Sequence, residues 1–206
     1  MDLFLKEKSD FLKKIDKSKR GAIDEGILKF VNEINSKVDY YTTSSCSGRI
    51  VLLEMKSKKK NECNWIFAKH DKVKFNEISK ALIKHSIKNK FNKEKFNKNK
   101  LNKKNNYEIW FKQQPLILHI ACRDLEAAKR FLEVSRKIFR RAGIIGITNK
   151  KVTIEIIGSE HLETVVKDKN FVADEKYLKN LVKYANRNFG ENSKKIFKFC
   201  KVIKIL

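Results

Sequence analysis

The spacing of apolar residues predicts helices and strands that alternate along the chain. Helical spacing is found in residues 2–16, 23–34, 75–87 and 175–188, and in the stretch from Asp124 up to Gly143. Strand-like runs cover residues 49–53, 64–71, 107–111, 116–122 and 152–157, while residues 193–205 suit either a basic helix or a strand. Because the connections are short and of the hairpin type, the pattern favours an α+β fold with a mixed, mostly antiparallel sheet and flanking helices.

The size and composition of the chain indicate one folded domain. It has 206 residues, of which 41% are hydrophobic, enough for a substantial core. Residues 84–106 form a low-complexity stretch of Lys and Asn, which we interpret as an insertion that extends a helix, forms a mobile loop or does both. Such tracts also follow an A/T-rich genome, so this stretch says little about function.

The net charge of +24 points to a polyanionic partner. The Lys/Asn stretch holds nine Lys and one Glu, so most of the excess charge lies elsewhere in the chain. RNA or DNA is therefore the first expectation, and an anionic membrane surface the second. No apolar run approaches the roughly 18 residues of a membrane helix and no signal-peptide pattern is present, so we expect a cytoplasmic protein without membrane contact.

The cysteines and histidines give no metal-binding pattern. The four cysteines stand far apart, without a C-x-x-C pair, and the four histidines add no spaced cluster. We therefore expect reduced thiols in a reducing compartment and no bound metal.

The segment from Tyr40 to Arg49 has the composition least typical of residues that only support a fold. Its sequence, YYTTSSCSGR, contains seven hydroxyl groups, one thiol, one Gly and one Arg. Ser, Thr and Gly supply short polar groups and accessible backbone, while Arg supplies a fork that suits carboxylates and phosphates. We interpret the segment as a loop that holds a polar or anionic ligand. A turn in which Ser and Thr satisfy the local backbone would explain the same composition.

Glycine-rich phosphate-binding loops are missing from the chain. The seven glycines form neither G-x-G-x-x-G nor G-x-x-x-x-G-K-[ST], which argues against a Rossmann-type cofactor loop and a P-loop. Gly143 and Gly146 have the spacing of the KH-type G-x-x-G loop. The residues between them are apolar rather than basic, so we interpret this segment as the end of a helix.

Four further positions are candidates for chemistry, each with an ordinary alternative. His70 and Asp71 stand at the end of a predicted strand, where they are either acid–base groups or part of a surface turn. His119 lies in an apolar strand, as a hydrogen-bonded core residue or as a cleft residue. Trp65 is either a core residue or a flat surface on which a base stacks.

Taken together, these segments resemble the wybutosine-synthesis methyltransferases, which carry out the third step of that tRNA pathway in archaea and eukaryotes. The specific part is SSCSGR at residues 44–49, which is long, ungapped and rare by chance. Further matches are residues 21–24 (GAID), Trp65 with residues 69–71 (KHD), residues 114–120 (QPLILHI), residues 123–125 (RDL) and positions within 177–186. The resemblance spans residues 20–188 and departs at residues 142–147 (AGIIGI), where family members carry a short basic stretch and a serine.

The resemblance implies S-adenosylmethionine as the methyl donor and, as the acceptor, a ring nitrogen of the tricyclic base derived from guanosine 37 of tRNA(Phe). It also implies a fold outside the Rossmann methyltransferases and a contact with the anticodon stem-loop. On this basis we assign Asp71 or His70 as the catalytic base, Ser44, Ser45, Ser47 and Arg49 to the donor, and Trp65, His119, Cys46 and Lys69 to the substrate.

Two functions of other classes remain open on the sequence. A non-catalytic tRNA-binding subunit of a modification complex would share the positive charge, as would a structural RNA-binding protein such as a ribosome-associated factor. Neither has a use for so specific a segment as SSCSGR. A test of S-adenosylmethionine binding separates both from the enzyme.

Overall fold

The described residues form an alternating series of helices and strands. The structure, a computed structural model, describes residues 2–13, 23–55, 63–96 and 107–206, with backbone alone for residues 89–96. The described helices are α1 (Leu3–Leu12), α2 (Glu25–Ser36), α3 (Phe75–Phe96), α4 (Leu125–Arg136) and α5 (Glu175–Val202), which a 3-10 turn at Ile203–Ile205 follows. The described strands are β1 (Tyr40–Cys46), β2 (Arg49–Met55), β3 (Cys63–Lys69), β4 (Glu108–Gln114), β5 (Ile117–Cys122), β6 (Arg141–Ile147), β7 (Val152–Ile157) and β8 (Leu162–Lys167).

The first of two compact units consists of Met1–Gly48, Pro115–Glu160 and Gly190–Leu206. Its sheet, called here the first sheet, has the strand order β1-β5-β7-β6. Successive residues of a strand point to opposite faces, so Leu118, Ile120 and Ile154 share one face, where they are buried in a core with residues of α2, α4 and the end of α5. On the other face, Phe4 of α1 packs against Tyr41 with ring centroids 5.5 Å apart.

The second compact unit consists of Arg49–Gln114 and His161–Phe189. Its sheet, the second sheet, has the strand order β3-β2-β4-β8. Leu52 of β2 and Phe111 of β4 are buried in a core that includes residues of α3 and the first part of α5. The side chain of Asn186 on α5 donates to the carbonyl of Val73 at 2.8 Å and accepts its N–H at 2.9 Å, which fixes the segment between β3 and α3.

The predicted fold class is confirmed. Every strand pairing in the described residues is antiparallel, whereas a Rossmann fold requires a mostly parallel sheet. The strands form two four-stranded sheets, where the sequence suggested one. The organisation of the chain as a single domain stays a prediction. Among the described helices, none has the length and apolar character needed to cross a membrane.

The helix after Asp124 is shorter than predicted. Asp124 caps α4 as expected, because its side chain accepts the N–H of Ala127 at 2.8 Å. The chain turns sooner than the sequence suggested, since the N–H groups of Ile138 and Phe139 both donate to the carbonyl of Ser135. The segment that follows is β6, which pairs with β7. The prediction that Gly143 and Gly146 end a helix is therefore wrong.

Two helices extend beyond the residues with helical spacing, and the extension of α3 into the Lys/Asn stretch is one of the alternatives predicted for that stretch. The helix α3 continues to Phe96, into the Lys/Asn stretch, and residues 97–106 of that stretch lie outside the described residues. The helix α5 runs without interruption from Glu175 to Val202, where the sequence suggested two elements. The strand β8 has no counterpart in the sequence-based prediction, and pairing with β4 stabilises it.

Candidate functional site

The hydroxyl-rich segment is mainly a strand. Its first seven residues form β1, which pairs with β5, so the prediction of a loop is wrong for this part. Pairing satisfies backbone groups that a loop would offer to a ligand. Tyr40 and Tyr41 are buried, and the Tyr40 hydroxyl donates to the carbonyl of Ala127 at 3.0 Å. The groups that remain for chemistry begin at Ser44.

A row of three polar side chains crosses the first sheet at the end of β1. A bulge between Thr42 and Ser44 sets Ser44 opposite His119 of β5, and His119 in turn stands opposite Glu155 of β7. His119 Nε2 lies 2.9 Å from Glu155 Oε2, and each of these two side chains is 30% exposed. His119 is therefore not a fully buried core residue. The carboxylate fixes the orientation of the imidazole ring beside the Ser44 hydroxyl.

Asp24 holds the turn that follows β1. It stands at the N-cap position of α2, yet its side chain makes no capping hydrogen bond. Instead, Asp24 Oδ2 accepts the Ser47 N–H at 2.8 Å and the Ser47 hydroxyl at 2.9 Å. Gly48 has a φ of 103°, a left-handed conformation that favours glycine. Because its one hydroxyl proton is used by Asp24, Ser47 offers a ligand only acceptor capacity.

A second buried polar side chain, Asn192 of α5, also binds this turn. Its Nδ2 donates to the Ser47 carbonyl at 2.8 Å, and its Oδ1 accepts the Leu116 N–H at 2.8 Å. Gly158 is packed beside it so closely that a Cβ on Gly158 would lie 2.7 Å from Pro115 Cβ and 3.1 Å from Asn192 Oδ1. One amide therefore joins the end of the SSCSGR segment to the start of β5.

Arg49 opens β2 in the second unit and contacts two side chains. Its Nε donates to Gln114 Oε1 at 2.6 Å, and its Cζ lies 4.5 Å from the ring centroid of Trp65. The ladder between β2 and β4 pairs Arg49 with Gln114. Within the described part of the chain, the two terminal guanidinium nitrogens make no hydrogen bond. They form the fork that suits a carboxylate or a phosphate.

Lys69, His70 and Asp71 lie at the end of β3 and in the turn after it. Lys69 Nζ is 2.9 Å from Glu77 Oε1 of α3, so this ammonium group already has a carboxylate partner. Asp71 is exposed, and its Oδ1 accepts the N–H of Lys72 at 2.6 Å. His70 is half-buried. The predicted acid–base pair therefore belongs to a turn at the edge of the second sheet.

Gln113 carries a buried amide without a partner in the described residues. The residue is 1% exposed, and neither Nε2 nor Oε1 makes a hydrogen bond there. Its cross-strand neighbours are Ile50 on β2 and Leu162 on β8, which supply no polar side chain. Buried polar groups are almost always paired, so an unpaired amide marks a place that a ligand or water completes.

Four residues that contribute to these arrangements were not predicted as site residues: Asp24, Gln113, Glu155 and Asn192. Asp24 is part of the GAID match, which is a usable signal. Glu155 interrupts the apolar alternation of VTIEII, the kind of polar position that a cross-strand partner explains. Asn192 gave no signal, because its contact with Ser47 joins residues 145 positions apart.

The four thiols are expected to differ in reactivity. Burial raises the pKa of the Cys122 thiol to about 12, and burial also raises that of Cys200. The thiolate is the reactive form, so Cys122 should react much more slowly than an ordinary thiol. Cys46 and Cys63 are half-buried. Timed alkylation with iodoacetamide and peptide mass mapping should label Cys46 and Cys63 well before Cys122.

The same alkylation in denaturant is the control, because unfolding removes the burial and all four thiols should then react at similar rates. Labelling of Cys122 in the folded protein as fast as Cys46 would contradict the burial described here.

Comparisons with known proteins identify the family. The family model described as "Methyltransferase TYW3" matches residues 6–205. The tRNA(Phe) 7-((3-amino-3-carboxypropyl)-4-demethylwyosine(37)-N(4))-methyltransferase of Methanocaldococcus jannaschii is 33% identical over 188 residues, which cover 89% of this chain and 88% of that protein. The tRNA wybutosine-synthesizing protein 3 homolog of Danio rerio is 31% identical, over 98% of this chain and 75% of that protein.

Solved structures support the same conclusion. The PH1069 protein of Pyrococcus horikoshii superposes with a TM-score of 0.79 and 26% identity, covering 97% of this chain and 95% of that chain. A hypothetical protein of Aeropyrum pernix, at 22% identity and a TM-score of 0.68, shares the fold. The suspected family is thus confirmed, and with it the prediction of an enzyme that transfers methyl groups. The chain belongs to the TYW3 methyltransferase family.

Proposed function

We propose that this chain transfers a methyl group from S-adenosylmethionine to a ring nitrogen of the tricyclic wyosine-type base at position 37 of tRNA(Phe). The observation that carries the proposal is its family membership, together with 33% identity to the archaeal protein named for this reaction. The net charge of +24 supports an RNA substrate, which we take to be bound through the anticodon stem-loop. We place the reaction in the cytoplasm.

The hydroxyl groups at the end of β1 in the first unit and, taken separately, the guanidinium of Arg49 in the second unit have the chemistry that the amino-acid tail of the donor requires. When bound, S-adenosylmethionine supplies an electrophilic methyl group on a sulfonium, and its tail carries a carboxylate and an ammonium. We assign the terminal nitrogens of Arg49 to the carboxylate. The hydroxyls of Ser44 and Ser45 make no hydrogen bond within the described ranges, and we assign them to polar groups of the donor. Gln113 pairs with Ile50, so its unpaired amide lies on the opposite face of the second sheet from Arg49.

The protein's own contribution is positioning and removal of a proton. Methyl transfer to nitrogen disperses charge, so most of the acceleration comes from holding the reacting atoms in line. Asp24 and Asn192 fix Ser47, and Glu155 fixes His119, which preorganises both. We assign Asp71 or His70 as the base that accepts the ring proton. The residues proposed to contact the substrate nucleotide are Trp65, His119, Cys46 and Lys69.

Two measurements on the purified protein test this function. Calorimetry should detect binding of S-adenosylmethionine, alone or with tRNA. Incubation with tRNA(Phe) that carries the tricyclic base before this methylation should add one methyl group to nucleotide 37, as read by mass spectrometry of the digested tRNA. The matched control is the same tRNA with unmodified guanosine at position 37, which should gain none.

The alternative function has its own outcome in this experiment. If the protein binds the tRNA but does not bind S-adenosylmethionine, either alone or with tRNA present, it is a non-catalytic subunit of a modification complex. The proposed reaction would then be wrong.

A further inference from the structure

Both tryptophans of the chain lie on one face of the second sheet. Leu53 of β2 pairs with Trp65 on β3 and with Trp110 on β4, and directly paired residues of antiparallel strands share a face. The residues on either side of Trp110, Ile109 and Phe111, belong to the core on the opposite face. This surface, called the tryptophan face, therefore carries two indole rings at the same level of the sheet, on the two strands that flank β2.

A cationic group lies over each of these rings. The guanidinium of Arg49 is 4.5 Å from the Trp65 centroid, and Lys112 Nζ is 4.9 Å from the Trp110 centroid. Trp110 is also held by its Nε1–H, which donates to Glu108 Oε2 at 2.8 Å. The two rings are thus held on the sheet, each with a positive charge over one of its faces.

The exposure of the tryptophan face is unlike that of a core surface. Trp65 is 40% exposed, although Val51 and Leu53 on the same face of β2 are buried. Trp110 is half-buried. Trp is enriched at interfaces, because its ring offers a large apolar area together with a polar N–H, so two partly exposed indoles on one face suit a binding surface.

The chemistry of the tryptophan face fits unpaired nucleotides better than a protein partner. Sheets that bind single-stranded RNA present aromatic rings from neighbouring strands, on which successive bases stack, and place cations beside them for the phosphates. The carboxylates on this face are already engaged, Glu108 by Trp110 and Glu163 by Lys112. They therefore oppose an approaching RNA strand less than unpaired carboxylates would.

We propose that the tryptophan face binds single-stranded RNA by stacking bases on Trp65 and Trp110. This inference rests on the proposed function in one respect, that the RNA is the anticodon loop of the tRNA. It adds Trp110 and Lys112 to the residues that contact the substrate. Through them the protein also binds nucleotides of the loop other than the one that is methylated.

Tryptophan fluorescence tests the proposal directly, because the chain has two tryptophans. The Trp65→Phe variant keeps a ring on β3 and leaves Trp110 as the sole indole fluorophore. A tRNA(Phe) anticodon stem-loop should quench its emission, since a stacked base quenches indole fluorescence. A fully paired RNA duplex of the same length should leave the emission unchanged. If a saturating stem-loop does not change Trp110 emission, or if the duplex quenches it equally, the proposal is wrong.

Affinity provides the second readout. Trp110→Leu should weaken stem-loop binding about tenfold, in line with the loss of one stacked base. Phe197→Leu is the matched control, because Phe197 is 62% exposed and has Lys201 Nζ 4.5 Å from its centroid, but lies on α5 in the other unit. It should bind the stem-loop like the parent protein, and equal losses in the two variants would overturn the proposal.

The outcome is separable from that of the proposed function. Quenching of Trp110 without any methyl transfer supports RNA stacking and removes the proposed reaction. Methyl transfer without a change in Trp110 emission supports the proposed reaction and overturns the proposal of RNA stacking.

Discussion

Replacing Arg49 by Ala is expected to lower the rate of methyl transfer about 100-fold, with little change in the unfolding temperature. A hydrogen bond to a charged group contributes about 1.5–3 kcal/mol, and a loss of about 2.7 kcal/mol corresponds to a 100-fold lower rate. The loss should appear mainly as weaker binding of S-adenosylmethionine, since Arg49 is assigned to the donor. Initial rates over a range of donor concentrations, with the donor dissociation constant from calorimetry, measure it.

Two variants show whether the effect belongs to the guanidinium fork. Arg187→Ala removes the same charge and a similar ring contact, since Arg187 Cζ lies 4.9 Å from the Tyr184 centroid, and should transfer methyl groups at close to the parent rate. Arg49→Lys keeps the charge but loses the fork, so its rate of methyl transfer should lie between the rates of Arg49→Ala and Arg187→Ala. Equal rates for Arg49→Ala and Arg187→Ala would contradict the assignment of Arg49 to the donor.

Replacing Asn192 by Ala is expected to cause the largest loss of stability, about 3 kcal/mol. The substitution leaves the Ser47 carbonyl and the Leu116 N–H buried without their partner, and each unsatisfied group costs about 1–3 kcal/mol. For a chain of this length the unfolding temperature should fall by roughly 6–12 °C. Thermal unfolding followed by circular dichroism measures the shift. Methyl transfer should also fall, because Ser47 loses a fixed position.

Asn180→Ala is the matched control on the same helix. Asn180 is exposed, so the exchange brings the same gain in helix propensity without breaking a buried hydrogen bond. Its unfolding temperature should stay close to that of the parent protein. If the two variants have the same unfolding temperature, Asn192 does not stabilise the turn that contains Ser47.

Alternating patterns allowed several elements to be predicted well. The strand at residues 152–157 was predicted with its observed bounds, and the hairpin that brings Trp65 beside β2 followed from two neighbouring strand-like runs. The prediction failed where a local signal competed with a distant partner. Ser, Thr and Gly suggested a loop at Tyr40–Cys46, but pairing with β5 decided the conformation. Gly143 looked like a helix end until pairing with β7 made it part of a strand.

The candidate site was predicted less completely than the fold, because its supporting contacts join distant parts of the sequence. The SSCSGR segment could be singled out from its composition and its resemblance to a family. The carboxylate that holds Ser47 is 23 residues away, and the carboxylate beside His119 is 36 residues away. Spacing along a sequence carries no information about such pairs until the register of the strands is known.

The bulge between Thr42 and Ser44 makes the site sensitive to the length of β1. The extra residue lets Ser44 stand opposite His119 while Thr42 stands opposite Ile120. If the same residues formed a regular ladder without the bulge, Ser44 would stand opposite Leu118 and turn its hydroxyl away from His119. The bulge therefore decides which side chains meet across the first sheet, so the spacing from Tyr40 to Ser44 matters to the candidate site as much as the residues themselves.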